Sequence, residues 1–206
     1  MGITIGTMIA EIRENNIAKG WRSAAGGPGG NTLGDYISLM HTEIGEATEA
    51  YRDWKLADAT GPRHTLQLNT FGQCAECDRP NHAGPYKPEG VGSELGGDLL
   101  IRLLDTGDVF GFTVFDPDFE IADVADLVVD PIRPRLVSFG DHMAWLHRRV
   151  DALWTNQHTG PLALRALVTV ARGYGIELMW EYERKMAYNR TRPFRHGGRA
   201  LVDTGA

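Results

Sequence analysis

Cysteine is nearly absent from this chain: the 206 residues hold two thiols, Cys74 and Cys77, both inside the short stretch QCAECDRPNH. A disulfide framework is therefore excluded as the organising principle. The first residues, MGITIGTMIAEIREN, have neither the basic end nor the apolar length of a leader, so the thiols are expected to be reduced and the protein cytoplasmic. No apolar run approaches the length of a membrane span, and none is expected. Positive charge is also short, with 21 Lys and Arg against 27 Asp and Glu and a net charge of -6. That balance argues against a general nucleic-acid-binding surface, while a small phosphorylated ligand held through a metal stays compatible with it. Period-two alternation long enough to build a sheet is missing too. What remains is a chain with 42% hydrophobic and 23% charged residues, which can bury a real core.

The apolar spacing predicts helices. Ile5, Met8, Ile9, Ile12 and Ile17 mark one over 3–18, and AAGGPGGN then interrupts. That stretch is not a phosphate loop, since no Gly-Lys-Ser/Thr follows it and no strand precedes it, and it reads as a connector. Thr32 or Asn31 can cap a helix running to about Trp54. Residues 57–88, rich in Gly, Pro, Asn and Cys, read as a long loop in which short strands have room, and helical spacing returns over 89–110. Two further helices are expected over 139–156 and 161–187. The CxxC pair in the loop can supply half of a zinc site, with His82 or His64 as further ligands. A closed structural site needs four ligands, so Zn²⁺ there stays an alternative.

The stretch HTEIGEATEAYRDW, 41–54, places Glu43, Glu46, Glu49 and Asp53 beside an apolar stripe of Ile44, Ala47 and Tyr51. Most acidic runs are solvated faces. A second acidic helix changes the reading: in GSELGGDLLIRLLDTGD, Glu94 and Asp98 are four residues apart and Asp105 falls near the same stripe, with Ile101 among them. Carboxylates bordering a core repel one another and resist desolvation. A divalent cation between the two helices removes both penalties, as in bundles that build metal sites from facing helices. Carboxylate oxygens suit Mg²⁺, or Mn²⁺, better than zinc. The expected ligands are Glu43, Glu46, Glu94 and Asp98, with Asp105 supporting them from behind. His41 and His147 are expected to be core or cap histidines.

The ExxE helix of Glu43 and Glu46, the loop, the ELxxD helix of Glu94 and Asp98, and the LLIRLLD that follows resemble the MazG-like branch of the all-α nucleoside triphosphate pyrophosphohydrolases. The stretch KMAYNRTRPFRHGGR, 185–199, resembles the tail of phage and actinobacterial members. The likeness spans 33–56, 87–111 and 174–199. One departure stands out: such proteins usually space the second pair as ExxD, and ELGGD has one residue more, so Glu94 or the helix near Gly96 and Gly97 must adjust. The resemblance implies a four-helix-bundle MazG-like core and Mg²⁺-dependent hydrolysis of a nucleoside triphosphate to the monophosphate and pyrophosphate, in the host cytoplasm if the chain is phage-encoded. In that chemistry Glu46 is the expected base. Lys185, Asn189, Arg192 and His196, interleaved with Tyr188 and Phe194, are the expected phosphate partners, and Lys87 is a weaker candidate.

The chain also repeats itself. LGDYISLMHTE, 33–43, lines up with FGDHMAWLHRR, 139–149, so Arg149 falls at the place of Glu43 and Ala152 at that of Glu46. The helix 161–174, which corresponds to 98–111, has no carboxylate in place of Asp98 or Asp105. The expectation is a single all-α domain over 1–206: a metal-binding half, 33–111, with the insert 57–88; a degenerate covering half, 139–187; and a basic tail, 188–206. A chain with both halves can close its own bundle, and the reading leans to a homodimer. Two alternatives remain open: a non-catalytic nucleotide- or protein-binding module, and a zinc-organised structural protein.

Overall fold

The structure, a computed structural model, describes residues 2–52, 90–126 and 138–194, apart from the side chains of 125 and 126. The expectations that concern Asp53, Trp54, the insert 57–88, Cys74, Cys77, His64, His82, Lys87 and His196 lie outside the described residues. Among the described residues there are seven α-helices and no strand, so the fold is all-α as expected. None of these helices is long and apolar enough to cross a membrane.

Helix α1, Ile5–Ala18, starts where the Thr4 hydroxyl accepts from the Thr7 amide, and it buries Ile5, Met8 and Ile12 on one face. The segment after it turns through Gly20, Gly26, Gly29 and Gly30, all at positive φ, as a connector does. Helix α2, Leu33–Arg52, is fixed at its start by a reciprocal pair: the Asp35 amide donates to Thr32 Oγ1 at 3.2 Å and the Thr32 amide to Asp35 Oδ2 at 2.7 Å. The second acidic helix is of two kinds. A π-helix over Ser93–Leu99 runs straight into α3, Leu100–Phe110, which Gly111 ends at φ 71°. A short helix α4, Ile121–Asp126, follows, and an antiparallel bridge from Thr4 to Glu120 ties the start of the chain to it. Helix α5, Phe139–Thr155, begins with the same reciprocal cap as α2, here between Ser138 and Asp141. A 3₁₀ turn at Gln157–Thr159 leads into α6, Gly160–Gly173, and α7, Leu178–Thr191, closes the described chain.

Two expectations change. The helix expected over 161–187 is broken: α6 ends at Gly173, Gly175 takes φ 67°, and α7 begins at Leu178. Tyr188 to Thr191, expected in the tail, form the last turn of α7.

The core lies between α2, the π-helix with α3, α5, α6 and α7, and is filled by Met40, Ile44, Leu95, Leu99, Leu100, Leu104, Leu146 and Tyr182, all nearly inaccessible to solvent. Helix α2 packs on the π-helix on one side and on α5 on the other, while α7 lies across the π-helix. The two stretches that match in sequence meet each other. His41 and His147 stack with their Nδ1 atoms 2.7 Å apart, so one ring donates and the other accepts. Their capping pairs, Thr32 with Asp35 and Ser138 with Asp141, sit at matching places. The second helices of the halves match as well: Thr106 donates back to the carbonyl of Arg102 and Thr169 to that of Arg165, at the same spacing.

Candidate metal centre

Helix α2 brings Glu43 and Glu46 to the π-helix because the residue that follows each of them, Ile44 and Ala47, is drawn into the core. The outcome is asymmetric: Glu43 is buried and Glu46 is exposed. On the facing element Glu94 is buried, and one carboxylate oxygen from each of Glu43, Glu46 and Glu94 lies within 4.8 Å of the others. Three of the four expected ligands are thus brought together. Asp98 stands beside them and makes an ion pair with the ammonium of Lys185.

The extra residue in ELGGD is absorbed by the π-helix. The Leu100 amide reaches back five residues to the carbonyl of Leu95, which widens the turn and takes one more residue between Glu94 and Asp98. Such wide turns are rare and concentrate at functional sites. The two glycines make the facing helix fit. A Cβ on Gly96 would stand 2.8 Å from the Cβ of Glu181, and one on Gly97 would stand 3.0 Å from the Cβ and 3.2 Å from the Cγ of Lys185. The bare backbone at Gly97 is therefore the bed on which the Lys185 stem lies, and its ammonium ends at Asp98.

The electrostatics follow from this packing. Burial pushes the Glu94 carboxyl up to about 8, with Asp98, Glu43 and Glu46 pushing the same way and Lys185 opposing. Glu43 is also raised, first by burial, while the guanidinium of Arg102, whose Nε donates to Glu43 Oε1, pulls it down. With all four carboxylates ionised, Arg102 and Lys185 leave the group short of two positive charges, which is the charge of one divalent cation. Three hard oxygen donors from two helices, with a fourth alongside, form a set suited to Mg²⁺ or Mn²⁺. The residues fit such an ion.

Arg102 was not singled out by the sequence reading, although a signal was there: it lies four residues after Asp98 and so on the same helix face. Asp105 has partners of its own. It accepts from Arg22 Nη2 at 2.5 Å, Arg22 Nε at 2.9 Å and Asn16 Nδ2 at 2.8 Å, and Arg22 also holds Asp108 at 2.5 Å. Its carboxylate is outside the three-oxygen group and bears on it through the charge of Arg102.

Of the phosphate candidates, Lys185 and Asn189 are one turn apart on α7, and Arg192 follows the helix in extended backbone. Lys185 is 3% exposed and Asn189 5%, and Asn189 Oδ1 is buried without a hydrogen bond. Arg192 lies 5.5 Å from the ring centroids of both Trp21 and Tyr188, and its charge is felt by Asp98 and Glu43. Trp21, an aromatic residue that by sequence could stack on a nucleotide base, comes to this place from the connector after α1, far from α7 along the chain.

No protein-family profile, curated protein or solved structure gives a significant match to the chain.

Proposed function

We propose that the protein is a Mg²⁺-dependent nucleotide pyrophosphohydrolase, converting a nucleoside or deoxynucleoside triphosphate to its monophosphate and pyrophosphate. The observation that carries this reading is the junction of α2 with the π-helix, where three carboxylates converge and a buried ammonium lies beside them. Glu43, Glu46, Glu94 and Asp98 would hold the ion. Bound there, it would supply charge neutralisation for the phosphates and a lowered pKa for water. Arg102 fixes the orientation of Glu43. Glu46, exposed at the edge of the group, would accept the proton of the attacking water. Lys185 and Asn189 on α7, with Arg192 just past its end, would present an ammonium, an amide and a guanidinium to phosphate oxygens.

A MazG-like bundle is the architecture this reading implies, with the second half a duplicate that has lost its ligands. Supporting that view are the matched caps, the His41–His147 contact between corresponding positions, and Arg149 and Ala152 at the places of Glu43 and Glu46. Under this reading the second half contributes packing and no chemistry, and dimerisation is left optional.

The test is a panel of ribo- and deoxyribonucleoside triphosphates incubated with protein and Mg²⁺, with pyrophosphate and monophosphate measured together. Turnover of at least one substrate is expected. It should fall by about two orders of magnitude or more in Glu46→Gln, as for loss of a general base. Tight nucleotide binding with no turnover of any member of the panel would replace the enzyme by a binding module.

A further inference from the structure

The Lys185 ammonium is committed to the metal group before any ion arrives. Its stem crosses the bare backbone of Gly97, the residue is 3% exposed, and the charge at its tip meets Asp98. A buried ammonium cut off from water needs an anion wherever it goes. Here that anion is one of the carboxylates expected to hold the metal. A divalent cation entering between Glu43, Glu46 and Glu94 would therefore meet a like charge against Asp98, only one π-turn from Glu94. The two cations are held at close range more favourably when further negative charge enters with the metal.

We infer that Lys185 is an internal counter-ion of the site, which neutralises Asp98 in the empty protein, opposes a metal ion arriving alone, and passes to a phosphate oxygen when metal and a polyphosphate bind together. The inference rests on the proposed metal site and deepens it, because it makes metal and anion loading mutually dependent. Each binds more weakly alone: the metal faces the ammonium, and the polyphosphate faces four carboxylates. Together each supplies the charge the other lacks. The end of α7 suits this transfer, since Asn189, one turn on from Lys185, and Arg192, just past the helix, give the displaced ammonium neighbours that also recognise phosphate. The occupant is thus a metal–polyphosphate complex, in preference to either free ion.

The test reads binding alone. Mn²⁺ affinity is measured by electron paramagnetic resonance in the wild type and in Lys185→Met, each with and without a triphosphate analogue whose α–β bridge is nitrogen. In the wild type the analogue should tighten Mn²⁺ by about tenfold or more, and Mn²⁺ should tighten the analogue by the same factor. Lys185→Met should bind Mn²⁺ alone about tenfold more tightly than the wild type, because a like charge has left its side, and most of the coupling to the analogue should disappear. Equal or weaker Mn²⁺ binding in Lys185→Met, or unchanged coupling, overturns the inference while the metal site stands. If neither protein binds Mn²⁺ at all, the proposed metal site falls and the inference with it. Should Lys185→Met fold poorly because Asp98 is left unpaired, Asp98→Asn is compared with Asp98→Asn/Lys185→Met. The double variant, which keeps Glu43, Glu46 and Glu94, is expected to bind Mn²⁺ more tightly than the single one, and a weaker affinity overturns the inference.

Discussion

Asp105 shows what one residue's place in a sequence pattern can and cannot say. Its stripe put it on the side of the helix that meets the acidic group, and the structure buries it there. Its partners came from elsewhere: Arg22, inside the glycine-rich connector, lies 83 positions away and Asn16, on α1, lies 89 away. No local spacing announces such a pair. The Arg22 side chain is 1% exposed and holds both Asp105 and Asp108, so its removal strands buried carboxylates. Truncating one member of a buried ionic pair costs about 3–5 kcal/mol. Arg22→Met is therefore expected to lose about that much stability in urea unfolding, while Asp105→Asn, which leaves Arg22 with Asp108, should lose less. A change below about 1 kcal/mol in Arg22→Met, the level of an exposed pair, would show that the network adds little. Arg13, whose guanidinium also reaches Asp108, is half exposed, and Arg13→Met should be nearly neutral by the same standard.

At the scale of the element, the two acidic helices were legible because their apolar stripes follow helical spacing over many residues. The extra residue in ELGGD marked the place where a regular helix fails. The spacing did not say how: the π-turn, the two glycines and the crossing of α7 form one arrangement, and the partner helix lies more than eighty positions away in sequence. The break at Gly175 was missed because the apolar pattern resumes on its far side, so one interrupted element looked continuous. The glycines can be separated by substitution. Alanine in a helix interior gains roughly 0.8–1 kcal/mol over glycine. At Gly97 the new methyl would press on the stem of Lys185 at 3.0 Å, and a shift of a few tenths of an ångström there offsets that gain. At Gly96 it would meet the Cβ of Glu181 at 2.8 Å and the backbone Cα of Leu178 at 3.3 Å, so α7 itself must move. Overpacking of that kind costs about 1–3 kcal/mol and exceeds the helical gain. Gly96→Ala should lower the melting temperature and Gly97→Ala leave it nearly level; equal effects at the two positions would mean that α7 yields as readily as a side chain.

On the scale of the whole molecule, the acidic junction ties the charge state of the site to the stability of the fold. Glu94 titrates at about 8 in the folded protein, raised first by burial, against an ordinary value of 4.5 in the unfolded chain. Between those values the native state holds a proton that the unfolded state has released. Stability from this group is therefore full below pH 4.5 and is lost as pH rises towards 8, at up to about 1.4 kcal/mol per pH unit. Glu43, raised by burial, acts in the same direction. Asp108 acts in the opposite one: its carboxyl is held down by Arg13 and Arg22 against burial, so its contribution is present above the usual carboxylate range and fades only in acid. Without metal, the melting temperature should fall from about pH 5.5 to pH 8.5. If the proposed site holds Mg²⁺, the ion should reverse that slope, because it would take the place of the proton on Glu94 and bind only the ionised form. Its stabilising effect should grow with pH, and binding at pH 7 should release close to one proton, read by calorimetry in two buffers of different ionisation enthalpy. Glu94→Gln supplies the control: with no titrating group at that position, the metal-free melting temperature should become flatter across the same range and the proton release should shrink. A wild-type profile that is level with and without Mg²⁺ would leave Glu94 an ordinary carboxylate and the junction of α2 with the π-helix without a role in metal binding.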